Sequence, residues 1–185
     1  MNIRTLPALL LGSLLFLASC APSSETADSG KLKVVCTTGM ITDAARRIGG
    51  DHVEVTGLCG PGVDPHLYLA TRADQKRLKN AGLVLYHGIH LEGKMGDLLA
   101  RISKSPREGQ HITAVAEAID KEKLIRNELF GAYPDPHLWF DLQLWKTAAA
   151  AAGKALEKAD PENAGSHAAA TQAYLAEIEE THSWA

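Results

Sequence analysis

Leu32-Lys33-Val34-Val35-Cys36-Thr37-Thr38-Gly39-Met40-Ile41-Thr42-Asp43-Ala44-Ala45-Arg46-Arg47-Ile48-Gly49-Gly50-Asp51-His52-Val53-Glu54-Val55-Thr56-Gly57-Leu58 is the stretch from which the fold can be read. Its first six residues are short and rich in β-branched side chains, which suits a strand. Met40, Ile41, Ala44, Ala45 and Ile48 then recur at helical spacing, and Gly49-Gly50 offers a helix stop. From His52 to Leu58 polar and apolar residues alternate, the period of a second strand. A strand, a helix and a strand in so few residues make one crossover unit, whose strands lie parallel and whose connection is right-handed.

The unit repeats on the C-terminal side. Thr71-Arg72-Ala73-Asp74 reads as a capping box with Asp in place of Glu, opening a helix that runs through Leu78 and Ala81 to Gly82. Leu83-Val84-Leu85-Tyr86 is a third strand. Met95, Leu98, Leu99 and Ile102 mark another helix, stopped before Pro106, and His111 to Val115 supplies a fourth strand. Ala116 to Phe130 reads as a loosely patterned helix. Asp141 caps a helix that carries five consecutive alanines, Ala148 to Ala152, and ends near Lys158. Asp160-Pro161-Glu162 reads as the start of a last helix, with Asp160 at the N-cap and proline at the first position. The expected fold class is α/β, a parallel β-sheet flanked by helices. In such sheets ligands bind beyond the carboxyl ends of the strands.

One pentapeptide is written nearly twice: Asp64-Pro65-His66-Leu67-Tyr68 and Asp135-Pro136-His137-Leu138-Trp139. Proline fixes its own φ and biases the residue before it away from helix, so each histidine sits on a stiff loop. The Leu-aromatic pair is suited to anchoring the loop on the core, and the Asp to folding back on nearby backbone N–H groups. A rigidly mounted neutral imidazole is a common metal ligand. The plainer alternative is two surface turns with solvated histidines. His87 and His90 follow the third strand near the same edge, with His90 placed for support of the ligands; His52, His111, His167 and His182 read as solvated.

The 185 residues suffice for one domain of ordinary size, and 45% hydrophobic residues suffice for a core. With 19 basic and 22 acidic residues and no basic stripe, a nucleic-acid partner is not expected. Residues 1–19 have the form of a signal peptide, with Arg4 before an apolar run too short for a comfortable membrane span. That run closes on Leu17-Ala18-Ser19-Cys20, similar to a bacterial lipobox with Cys20 as the lipidated N-terminus. Residues 20–30 lack large apolar side chains and read as a flexible tether. An exported chain can form disulfides, which leaves a Cys36 to Cys59 bridge open, although two cysteines in apolar strands are also simply small buried residues.

Gly60 to Tyr68, Leu83 to Glu92 and Asp135 to Asp141, together with the lipobox, resemble the zinc/manganese ABC-transporter substrate-binding lipoproteins from Leu32 to the end of the chain. The resemblance implies two α/β lobes joined by one long helix, with a metal ion between them. It assigns His66 and His137 as the ligands from the first lobe. It implies that residues 31–158 are the N-terminal lobe and 159–185 the start of the connecting helix. The C-terminal lobe, of about 100 residues or more by ordinary domain size, with its His or Glu and its Asp, is then expected outside this chain. Asp64 and Asp135 are expected to shape the ligand loops.

The function implied is capture of a divalent transition metal, Mn2+ or Zn2+ with Fe as a further cargo, outside the cytoplasmic membrane. The protein would be anchored there through Cys20 and would deliver the ion to an ABC permease and its ATPase. The lack of a histidine-rich loop favours the manganese or mixed-metal branch. No catalytic role is expected, since no His-Glu-x-x-His motif is present. Two alternatives stay open from the residues alone: half of a metal-dependent hydrolase, or a surface adhesin lipoprotein with incidental histidines.

Overall fold

The computed structural model describes residues 30–126 and 133–185. The signal segment, Cys20, residues 20–29 of the tether, and residues 127–132 lie outside the described residues. Four strands, β1 (Leu32–Cys36), β2 (Val53–Gly57), β3 (Leu83–Tyr86) and β4 (His111–Ala114), form one sheet in the order β2-β1-β3-β4. All three pairings are parallel, with Leu32 opposite Val53, Val34 opposite Leu83 and Leu83 opposite His111. The chain therefore winds one way from β1 to β2 and the other way from β1 through β3 to β4. The order reverses between β1 and β3, and a ligand is expected at the carboxyl ends of the strands there.

Alternation along the strands divides the core into two layers. Val34, Cys36, Leu83 and Leu85 face helices α1 (Gly39–Gly49), α4 (Leu142–Ala159) and α5 (Ala164–Trp184). Val35 and Val84 face α2 (Arg72–Asn80) and α3 (Gly96–Lys104), where Leu78 and Leu99 are buried with Met95 from the turn just before α3. Cys36 and Cys59 belong to opposite layers, and both are free buried thiols; the bridge left open by the sequence is not formed.

Local signals set the helix ends. Gly50 stops α1 at φ +53°, a conformation that favours glycine, and its N–H donates to the Arg46 carbonyl. Thr71 and Asp74 form the reciprocal capping box, and Asp141 accepts from the N–H groups of Gln143 and Leu144 to open α4. Ala148, Ala149 and Ala152 of α4 are buried, and α4 packs against α5. At Gly153 a Cβ would collide with the Thr171 side chain.

Four expectations are corrected. The described part of Ala116 to Phe130 holds two short 3₁₀ turns, Val115–Ala118 and Lys121–Lys123, instead of a helix, consistent with its weak apolar pattern. Pro161–Asn163 is also a 3₁₀ turn before α5, and Asp160 caps no backbone group there. Its carboxylate instead accepts from His167 Nε2 at 3.0 Å and from Asn163. His167 is accordingly not solvated but fully buried against α1, with Nδ1 3.4 Å from the Ile48 carbonyl. Leu67 does not anchor its loop, being 65% exposed, whereas Leu138 is buried.

Candidate metal centre

Both Asp-Pro-His loops lie at the carboxyl edge of the sheet. The first leaves β2 through Gly60-Pro61-Gly62, where Gly62 adopts φ +75°. Asp64 Oδ1 accepts the His66 N–H at 2.8 Å, folding the loop back on itself. Tyr68 anchors it by donating to Asp74 Oδ2 at 2.8 Å, so the α2 capping box also holds the ligand loop. From the other side the Lys94 N–H donates to the His66 carbonyl at 3.2 Å. This bracing is possible because residue 93 is glycine: a Cβ there would lie 2.8 Å from the same carbonyl.

The second loop is held differently. The Asp135 N–H donates to the Ile125 carbonyl at 2.8 Å, and Leu138–Phe140 form a 3₁₀ turn leading into α4. Asp135 Oδ1 accepts both the His137 N–H at 2.9 Å and its ring Nδ1–H at 2.7 Å. Partial burial pushes Asp135 up, but the hydrogen bonds from His137 and its charge hold the carboxyl below the usual range. A carboxylate on Nδ1 fixes the tautomer that places the ring's lone pair on Nε2.

That lone pair points at the other loop. His66 Nε2 and His137 Nε2 are 3.3 Å apart, with ring centroids 5.3 Å apart and planes at 61°. At metal–nitrogen bonds of about 2.0–2.1 Å, one edge of a tetrahedral site measures about 3.3–3.4 Å. The pair therefore spans the bite of one tetrahedral ion, and a facing arrangement of this kind needs a shared proton or a cation between the nitrogens. Among the described residues no third His, Cys, Asp or Glu joins it. The two histidines border a cavity of about 760 Å³ whose other walls include the start of α1, with Thr38, Asp43 and Arg46.

Behind the pair, Trp139 packs edge-on to His137 and to His87, at 5.3 and 5.7 Å between centroids. His87 is fully buried and neither ring nitrogen makes a hydrogen bond of good geometry. Burial takes its pKa down to about 4; the nearby Pro136 carbonyl opposes the fall and His137 adds to it. His87 is thus a neutral packing element under the site. His90 is exposed, stacks on Tyr133 and lines a different cavity, so it does not support the ligand pair.

Sequence reasoning missed Glu92. It is buried, and accepts from Thr37 Oγ1 at 2.6 Å and from the N–H groups of His87 and Gly88. Burial pushes its pKa up, against the effect of these hydrogen bonds. It ties the loop after β3, where Gly88, Ile89 and His90 all have positive φ, to the end of β1. The only signal in the chain was an acid amid glycines and apolar residues.

With this geometry established, the chain can be set beside known proteins. The family profile described as zinc-uptake complex component A, periplasmic, matches residues 34–185. The manganese-binding lipoprotein MntA of Bacillus subtilis is 42% identical over 180 residues, covering 95% of this chain and 57% of its own length. The zinc-binding protein TroA of Treponema pallidum is 40% identical over 171 residues, covering 92% of this chain and 54% of its own. The structure of the periplasmic TroA superposes with a TM-score of 0.78 at 39% identity, over 84% of this chain and 54% of that one. The chain thus spans about half the length of the curated relatives it matches.

Proposed function

This chain belongs to the zinc-uptake complex component A family, and on that premise we propose that it serves as the extracytoplasmic binding component of an ABC transporter for a divalent transition metal. The observation that carries the reading is the facing Nε2 pair of His66 and His137, set at the edge length of a tetrahedral site. Mn2+ or Zn2+ is the cargo, as the names of the relatives say of those proteins. His66 and His137 are the ligands; Asp64 and Asp135 orient them through the bonds described above. The role is capture and release, without a chemical step.

The partners are a membrane permease and its ATPase, reached by a protein that a lipid on Cys20 anchors outside the cytoplasmic membrane. Residues 31–158 act as the metal-binding lobe, and α5 begins the helix that leads from it. Two imidazoles supply half of a four-coordinate shell, so the remaining donors come from elsewhere or from water. Calorimetric titration with Zn2+ and with Mn2+ tests the assignment. His66→Ala and His137→Ala should each abolish detectable binding, and unchanged affinity in both variants would remove His66 and His137 as ligands.

A further inference from the structure

One buried carboxylate is joined to both ligand loops. Glu92 is 3% exposed and receives three hydrogen bonds. Thr37 Oγ1 and the His87 N–H donate to Oε1, each at 2.6 Å, and the Gly88 N–H donates to Oε2 at 3.1 Å. Each partner leads towards a ligand. The Thr37 carbonyl accepts the Cys59 N–H at 2.9 Å and so holds the root of the loop that carries His66. The Glu92 carbonyl accepts the Met95 N–H at 3.0 Å, closing the turn Gly93–Met95, and from within that turn the Lys94 N–H reaches the His66 carbonyl at 3.2 Å. On the other side, the ring of His87 packs edge-on to Trp139, and Trp139 packs edge-on to His137. An acceptor that serves three buried donors tolerates little displacement, because a shift towards one lengthens the bonds to the others.

We propose that Glu92 is a positioning residue that sets the 3.3 Å spacing of His66 Nε2 and His137 Nε2, by holding both ends of one loop and the floor of the other in a single register. The proposal rests on the reading of these histidines as ligands. It makes metal affinity, and not stability alone, depend on a side chain placed to touch no ion. The arrangement needs an acceptor at both oxygens. Glutamine has the same shape but carries one acceptor and one NH2 group, and either orientation leaves one backbone N–H, of His87 or of Gly88, facing a donor. The hydroxyl of Thr37 can turn to accept; the two backbone groups cannot. The loop after β3 then shifts, and the turn under His66 and the ring under Trp139 shift with it.

Zinc titration by calorimetry of the full-length protein, together with the visible absorption of its Co2+ form, tests this. Glu92→Gln should lower Zn2+ affinity about tenfold and shift the Co2+ bands, which report the geometry of the ligands. Thr37→Val removes one of the three bonds and should act in the same direction more weakly, which keeps the test readable if Glu92→Gln folds poorly. Thr37→Ser retains the hydroxyl and should bind as wild type does. Leu156→Ala, at a fully buried position towards the far end of α4, lowers stability alone and should leave affinity and spectrum unchanged. Glu92→Gln and Thr37→Val proteins that unfold more readily yet keep wild-type affinity and Co2+ bands would overturn the proposal and leave the ligand assignment intact. The same loss in Leu156→Ala as in Glu92→Gln would also overturn it, by showing that affinity follows stability. Zn2+ binding that survives both His66→Ala and His137→Ala would remove the ligand reading and the proposal with it.

Discussion

Asp135 is the residue through which the site's chemistry is set. It accepts from both the backbone and the ring of His137, and Asp135→Ala removes the group that fixes the tautomer. Metal affinity should fall by about 10–100-fold with the fold unchanged; calorimetry alongside circular dichroism checks both halves of that statement. Asp160 does comparable work for stability. Burial pushes its pKa up, but hydrogen bonds from His167 and Asn163 hold it below its ordinary 3.8. The unfolded carboxyl takes up its proton first as pH falls. The stabilisation is therefore complete above 3.8 and lost as pH drops through the lower folded value. Asp160→Asn should cost about 1.5–3 kcal/mol at pH 7, because the buried His167 Nε2–H loses its charged acceptor. The difference in urea midpoint between the variant and wild type should narrow as the pH is taken down through this range.

At the scale of elements, close approaches decide more than propensity does. Gly153→Val should destabilise the protein by about 1–3 kcal/mol, since the new side chain meets Thr171 on α5. Thr171→Ala in the same chain should recover part of that loss, and a double-mutant cycle by chemical denaturation measures the coupling. Gly93→Ala presses on the His66 carbonyl, so it should weaken metal binding while leaving the sheet intact, which titration and circular dichroism together would show. Neither contact is legible in the sequence, because each joins segments that only the tertiary fold brings together. Local signals, by contrast, are legible. β3 has the bounds its sequence predicts, the Thr71–Asp74 box and the Asp141 cap form as read, and the pentapeptide repeat marks both candidate ligands. The features that escape the sequence share one cause. The burial of His167 and His87, the exposure of Leu67 and the role of Glu92 depend on which neighbour arrives from far along the chain. The residues from Ala116 onward carry too weak a period to tell a helix from a pair of 3₁₀ turns.

For the whole molecule, α5 is part of the body of the fold. His167, Thr171, Tyr174 and Ile178 bury one stripe of it on α1 and α4, Arg47 pairs with Glu177 and stacks on Tyr174, and Lys146 pairs with Glu179. A chain truncated before Asp160 would expose the face of α4 around Trp145 and Gly153 that meets Tyr174 and Thr171. It should bind a hydrophobic dye and unfold at lower denaturant, and unchanged stability would show that α5 is only attached. The parallel sheet has a different consequence. His66 precedes β3 and β4 in the chain and His137 follows them, so their two nitrogens are brought together by the tertiary fold and not by local sequence. On the proposed reading, a metal ion at this pair binds the folded state alone. Each tenfold excess of free ion over its dissociation constant adds about 1.4 kcal/mol to the native state alone. If the proposed ligation holds, the melting temperature of this chain becomes a concentration gauge for the free ion, readable without any label on the metal.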